Sequence, residues 1–232
     1  GDYADALTLV SQQGEKALHG GPLGDLLVEC MEKTGGFVSR ADLTGYKVAE
    51  RAPIRALYRG WEILGPPPPA ASGVHIAQML NILEAYDIAK MGFGTVDTLH
   101  LLAEVLKIAF ADRAEASGDP DFVKVPVERI VSRDYADQRR KLLDIARATN
   151  WTGGLGTGGL QAAEGQDTTH LTVADGKGNV VSTTQTINSL FGARFIVPGT
   201  GMIRVCSEST KVWINRLSSV SGSTRWVEPA YT

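Results

Sequence analysis

The sequence predicts an α/β fold with layered helices and strands, on three observations. Helical hydrophobic periods run through most of residues 1–148, a short strand pair interrupts them between 54 and 64, and beyond 167 the period changes to two. The last change is the most informative. Residues 167–188 read DTTHLTVADGKGNVVSTTQTIN, with Leu171 and Val173 alternating with polar neighbours. Gly176-Lys177-Gly178 then interrupts, and a second run rich in β-branched residues follows. This is a hairpin signature. A three-residue loop with Gly178 in the left-handed position pairs Asp175 with Asn179 and carries the register to Thr168 opposite Thr186. Directly opposed Cβ atoms lie about 5 Å apart, close enough for two hydroxyls to share a hydrogen bond. A bulge would shift this register by one.

Before the hairpin, residues 5–19 and 24–34 carry helical periods, stopped by Gly20-Gly21-Pro22 and Gly35-Gly36. A short helix is expected over 40–46, then strands over 54–58 and 61–64 around the turn at Arg59-Gly60. Arg51 and Arg55 read as solvated strand-edge charges. The proline run 66–69 predicts a rigid extended connector, leading into a helix with Ile76, Met79, Leu80 and Leu83 at core spacing. Residues 96–115 give the strongest helical period. Leu99, Leu102, Ala103, Leu106, Ala109 and Phe110 fall on one stripe, and Glu104, Lys107 and Glu115 fall off it. Over 135–148 another helix is expected, its Arg139-Arg140-Lys141 run a wet face. The glycines at 153, 154, 156, 158 and 159 leave little to pack, so residues 150–167 read as a mobile linker.

Composition narrows the function classes. A net charge of −3 with 43% hydrophobic residues gives no electrostatic case for nucleic acid or anionic membrane. No apolar run approaches the ~20 residues of a membrane span. The first residues carry no basic or apolar leader pattern, so the chain is expected to begin inside a mature sequence. Cys30 and Cys206 are too few and too distant to read as a disulfide framework, and each is expected as a small buried apolar residue. His75 and His100 lack partners at ligand spacing and read as satisfied structural histidines, so no metal is expected. Gly118-Asp119-Pro120-Asp121 reads as turn chemistry, because the oxygen run needed for calcium is incomplete.

Two readings of the hairpin stand on the residues alone. Threonine is a good strand former, and an exposed hydroxyl-rich face is common. The second reading is chemical. A threonine hydroxyl is a weak nucleophile without a base beside it, and cutting the chain before the threonine supplies that base as its own α-amine. Such an amine titrates near ~8 and accepts a proton at neutral pH with little tuning.

The residues also carry a family resemblance. Thr168-Thr169-His170, the Asp-Gly-x-Gly-Asn turn, Thr186-Ile187-Asn188 and Phe191-Gly192 resemble the processing site of the gamma-glutamyltransferases, which are N-terminal-nucleophile hydrolases. Upstream, Asp42-Leu43-Thr44-Gly45-Tyr46, Arg51-Ala52-Pro53-Ile54, Gly65-Pro66-Pro67-Pro68 with Ser72-Gly73-Val74-His75, Ala111-Asp112-Arg113 and Gly118-Asp119-Pro120-Asp121-Phe122-Val123 follow in the family's order.

The resemblance spans about residues 1–203. It implies a partial αββα four-layer sandwich, autocleavage between Asp167 and Thr168, and Thr168 as the catalytic nucleophile. Thr186 is implied to position that nucleophile, and Asn188 to contact the donor's α-amino acid end. It further implies large and small subunits from one precursor. On that division 1–167 is the large subunit's C-terminal segment, 168–203 opens the small subunit and 204–232 is a non-family tail. The implied substrates are a gamma-glutamyl donor such as glutathione with an amino acid or water as acceptor, and no cofactor. Relatives of similar sequence cleave glutaryl side chains of β-lactams or depolymerise poly-gamma-glutamate. A periplasmic or extracellular location is implied where a signal peptide precedes the segment. After Ile203 the resemblance stops. The donor pocket's acidic residue, its Pro-Ser-Ser element, its Gly-Gly oxyanion pair and an upstream arginine are not present, so the chain reads as a fragment, and a catalytically silent one is the competing class. In the tail, which has no clear period, Arg204, Arg216 and Arg225 are expected on a solvated or disordered surface.

Overall fold

The computed structural model describes residues 1–155, 169–186, 195–202, 211–217 and 225–229, and at 185, 186, 211–217 and 225–229 it describes the backbone. The chain divides into two compact units, residues 1–51 with 164–232, and residues 52–163. Both mix helix and strand, as the sequence predicts.

In the first unit, α1 spans Asp2–Gln13 and stops at Gly14, where φ of 62° turns the chain. It therefore ends earlier than its apolar period, and a single 3-10 turn, Gly14–Ala17, covers most of the remainder. The helix α2, Pro22–Thr34, starts on a proline whose missing N–H costs nothing there and ends at Gly35. Ser39 opens α3, Arg40–Gly45, with a capping box: its N–H donates to Asp42 Oδ2 at 2.7 Å and Asp42 N–H donates back to Ser39 Oγ at 3.3 Å. Ala6, Ala17 and Leu23 form one small core, and Cys30, Met31 and Val197 another. Cys30 is thus a buried free thiol, as expected, whereas Cys206 lies outside the described residues.

The same unit holds a five-stranded antiparallel sheet in the order β1-β7-β6-β5-β4, built from β1 (Val48–Arg51), β4 (Thr169–Ala174), β5 (Val180–Thr186), β6 (Lys211–Leu217) and β7 (Arg225–Pro229). The hairpin β4–β5 was predicted; β1, β6 and β7 were not. In the tail, where no period was read, Arg216 and Arg225 are paired across β6 and β7. Pairing of backbones between strands distant in sequence leaves no local period to read.

The second unit begins with the hairpin of β2, Ile54–Tyr58, and β3, Trp61–Gly65, turned by Arg59 and Gly60 at φ of 50° and 86°. Two positive φ values in a two-residue loop match the twist of the flanking strands. Arg55 pairs with Glu62 at 2.6 Å on the exposed hairpin surface. Past the proline connector come α4 (Ala71–Leu83), α5 (Ile88–Met91), α6 (Val96–Ala116), α7 (Val127–Ile130) and α8 (Arg133–Arg140). One core gathers Ile82, Leu83, Leu101, Val105, Ile108 and Ala136, and a second gathers Val74, Ala116, Ile130, Tyr135 and Leu155.

The helices form where expected, but two bury a different face. On α6 the expected stripe is largely outside: Leu99, Leu106 and Phe110 are exposed, and Thr98, Leu101, Glu104, Val105, Ile108 and Asp112 are buried. On α4 the buried face carries Val74, His75, Gln78, Asn81 and Ile82, and Ile76 points to solvent. In both helices polar residues occupy the core side, so counting apolar residues rotates the inferred face. These polar groups are satisfied. His75 Nδ1 lies 2.9 Å from Gln78 Oε1, and Gln78 Nε2 donates to Asp112 Oδ2 at 2.5 Å. The reading of His75 as a structural histidine therefore holds, and His100 Nε2 likewise meets Asp144 O at 2.9 Å.

Two further expectations change. α8 stops at Arg140, and Arg139 is buried against Asp112, not part of a wet face. Residues 149–155, whose glycines suggested mobility, are held. Glu104 Oε2 accepts from Thr149 N at 3.2 Å and Trp151 Nε1 at 2.7 Å, Asp112 Oδ1 from Gly154 N at 2.8 Å, and Glu115 Oε2 from Leu155 N at 2.8 Å. The rest of the expected linker, 156–167, lies outside the described residues.

Candidate active site

Asp175 organises the turn that joins β4 to β5. Its Oδ1 accepts from the N–H groups of Lys177 and Asn179, each at 2.9 Å, and its Oδ2 accepts from Asn179 Nδ2 at 2.7 Å. The Asn179 amide, then its backbone N–H, hold this carboxyl below the usual range. Asp175 N donates to Asn179 O at 3.0 Å, and Gly178 N donates to Asp175 O at 3.1 Å. Gly178 takes φ of 80°, the left-handed position that the three-residue loop requires. The ladder then runs without a bulge from Ala174 opposite Val180 to Thr169 opposite Gln185. That is the register expected from the sequence, over the rungs described.

Side chains two apart on a strand share a face, and one face of this hairpin is a connected polar cluster. His170 Nδ1 lies 2.7 Å from Thr184 Oγ1, and its Nε2 lies 3.0 Å from Thr172 Oγ1 and 3.1 Å from Ser182 Oγ. Thr172 and Ser182 hydroxyls meet across the strands at 3.3 Å. A neutral imidazole donates from one nitrogen and accepts at the other, while hydroxyls rotate to do either. The four side chains therefore form one hydrogen-bonded, mutually oriented group. The other face carries Leu171, Val173 and Val181.

Of the predicted site residues, Thr186 is the last residue of β5, its main chain opposite Lys211 of β6. Asp167, Thr168 and Asn188 lie outside the described residues. The Gly199-Thr200-Gly201-Met202 segment is a tight turn in which buried Thr200 Oγ1 donates to Val197 O at 2.8 Å and accepts from Met202 N at 3.0 Å. Among the described residues no three His, Cys, Asp or Glu side chains gather as a metal site, and no helix is long and apolar enough to cross a membrane.

The model of the family described as gamma-glutamyltranspeptidase matches residues 1–206. The chain belongs to that family. It is 58% identical over 202 residues to the Acylase ACY 1 proenzyme of Pseudomonas sp. (strain SE83), covering 87% of this chain and 35% of that protein. To the glutathione hydrolase proenzyme of Escherichia coli (strain K12) it is 38% identical, with the same two coverages of 87% and 35%. Among solved structures it resembles the cephalosporin acylase from Bacillus halodurans, with a TM-score of 0.78 and 30% identity over 88% of this chain and 35% of that one. The chain thus spans about a third of the length of these relatives. The family's members are enzymes, among them transpeptidases, hydrolases and acylases, and both curated relatives are named as proenzymes.

The sequence reading gave His170 no role beyond its place in a motif. Its contacts follow from the register already in hand, since 170 pairs with 184, but only side-chain geometry reveals that one ring ties together three hydroxyls. The buried charges of α6 and α8 were missed for the opposite reason, because charge was taken as a sign of solvent.

Proposed function

We propose that this chain is the part of an autoprocessed amide acyltransferase and hydrolase that carries the nucleophile, Thr168. The observation that supports it is the unbroken register of β4 and β5, which extended by one rung would set Thr168 opposite Thr186, on the face shared by His170 and Thr184. Thr168 Oγ first attacks the Asp167 carbonyl, the acyl group shifts from nitrogen to oxygen and so frees the α-amine of Thr168, and water then cleaves the resulting ester, releasing the Asp167 carboxylate and restoring the Thr168 hydroxyl. In turnover that amine takes the Oγ proton as Oγ attacks the substrate amide, and it delivers the proton to the departing amine. An acyl ester on Thr168 remains and goes to water or to an acceptor amine. Thr186 positions the nucleophile, and Asn188 contacts the polar end of the donor's acyl group. The five-stranded antiparallel sheet would be one sheet of an αββα sandwich of the N-terminal-nucleophile type.

Two donor classes fit this chemistry, a gamma-glutamyl amide such as glutathione and a glutaryl-type amide such as a cephalosporin side chain. The gap between 58% identity to a protein named acylase and 38% to one named glutathione hydrolase favours the second. Parallel assays of the full-length protein that carries this segment, with a glutaryl anilide and a gamma-glutamyl anilide, test this choice, with its Thr168→Ala variant as control. Faster release from the glutaryl anilide is expected. Preference for the gamma-glutamyl anilide would assign the donor the other way, and equal rates in the wild type and control would remove Thr168 from the chemistry.

A further inference from the structure

We propose that the outer face of α6 is the surface through which two copies of this chain associate, helix against helix and antiparallel.

Along the side of α6 that faces away from its core runs a row of apolar residues, Val96, Leu99, Ala103, Leu106 and Phe110. All five are exposed, Val96 by 81%, Leu99 by 58%, Leu106 by 45% and Phe110 by 54%. The core side of the helix is already filled by Leu101, Val105 and Ile108. Single exposed apolar residues are ordinary, whereas a contiguous row marks a surface that binds something. The spacings along the row are three, four, three and four residues. That repeat keeps apolar side chains in line along a helix when the partner is a second helix, with side chains of each seated in gaps of the other.

The required partner is therefore a helix with the same spacing and complementary sizes, and α6 itself supplies one. A two-fold axis between residues 104 and 105 sets Ala103 against Leu106 of the other copy and Leu99 against Phe110 of the other copy, and by symmetry each contact is made twice. Small meets large at the centre, which lets the two backbones approach closely. The ends fix the direction. Asp97 lies in the first turn of α6 and Arg113 in the last, so antiparallel copies bring opposite charges together at both ends, whereas parallel copies would set like against like. The Arg113 guanidinium already sits at the end of the row, 5.5 Å from the Phe110 ring centroid.

The area matches a reversible dimer. Covering the row together with the stems of Lys107 and Arg113 takes on the order of 600 Å² per copy from water, at about 200 Å² for a whole phenylalanine. Two copies together lose about 1,200 Å², the lower end for a specific interface. Half-dissociation is expected on the order of 10 μM. Below that concentration the chain is a monomer, and its outer face contributes little to its stability.

The test uses the Thr168→Ala chain as parent, so that mass reports association alone and the result does not depend on self-cleavage. Sedimentation from about 1 to 100 μM should show the mass rising from one chain to two. Leu106→Glu and Ala103→Glu should each hold it at one chain with an unchanged far-ultraviolet circular dichroism spectrum. Cysteine cross-linking reads the register without adding charge, and so decides the matter even if a glutamate disturbs the helix. A mixture of the Ala103→Cys and Leu106→Cys proteins should form more covalent dimer on oxidation than either protein alone, with the parent, which keeps Cys30 and Cys206, setting the background. A parent that stays at one chain throughout overturns the proposal, as does a dimer that survives both glutamate substitutions. Cross-linking of Ala103→Cys alone that exceeds the mixture overturns the antiparallel register.

Discussion

Asp112 Oδ1 lies 3.0 Å from Arg139 Nη2, and the two side chains are 0% and 7% exposed. Each also holds residues 149–155, through Gly154 N and Thr152 O, and the Arg139 guanidinium sits 5.3 Å from the Trp151 ring centroid. Arg139→Met keeps most of the volume and leaves Asp112 as a buried charge without its cation. The expected loss is about 3–5 kcal/mol of unfolding free energy, read by urea titration of wild type and variant. A loss below about 1 kcal/mol, as for a surface pair, would contradict the burial.

The faces of α6 give a second prediction. Ile108→Ala should destabilise by about 2–5 kcal/mol, because it opens a cavity in a closed core. Leu106→Lys, at a side chain 45% exposed, should change stability by no more than about 0.5 kcal/mol. The apolar stripe read from the sequence predicts the reverse order, so thermal melts of the two variants decide between the faces.

What the sequence revealed follows from how locally each feature is encoded. The β4–β5 turn was legible because Asp175, Gly178 and Asn179 specify it within five residues, and its register followed. Gly35 marked a helix end in the same local way, whereas Pro22, read as part of the stop of the first helix, opens the second. The core faces of α4 and α6 were not legible, because Gln78, Glu104 and Asp112 are buried only by virtue of partners such as Trp151 and Arg139 that arrive from far along the chain. Likewise Gly153 and Gly154 look like a loose linker in sequence and are close contacts in space. The strands β6 and β7 pair with partners whose identity no local pattern announces.

Acid should weaken the second unit in two stages. Burial holds the His75 imidazole below its ordinary 6.5, against the opposing pull of Gln78 and Asp112 and with Arg113 assisting. The unfolded chain therefore takes up this proton at a higher pH than the folded one, so the stability it contributes is full above 6.5 and declines as pH falls through the folded value. Burial works to raise the Glu104 carboxyl, and hydrogen bonds from Lys107, Trp151 and the Thr149 amide outweigh it, so it sits below 4.5 and its contribution is lost as pH falls further. Urea midpoints measured from about pH 8 to pH 4 should fall in both windows, and a His75→Gln variant should flatten the first. A midpoint that rises on acidification from about pH 7 to 5 would contradict the sign.

Thr186→Val keeps shape and strand propensity and removes one hydroxyl. Unfolding should be little affected, while acyl transfer by the full-length enzyme should slow by about ten- to thirtyfold, the equivalent of about 1–2 kcal/mol in the barrier for one positioning hydrogen bond. Steady-state rates on an anilide donor check this. Unchanged turnover would mean that Thr186 does not act on the nucleophile.

The central claim is that Thr168 becomes an N-terminal nucleophile by cutting the bond before it. Intact-mass analysis of the freshly purified chain and of its Thr168→Ala variant measures this directly. The wild type should resolve over time into two pieces, the second beginning at Thr168, and the alanine variant should remain whole because it has no hydroxyl to receive the acyl group. A variant that still yields an N-terminus at residue 168, or a wild type that stays uncut, would contradict the account.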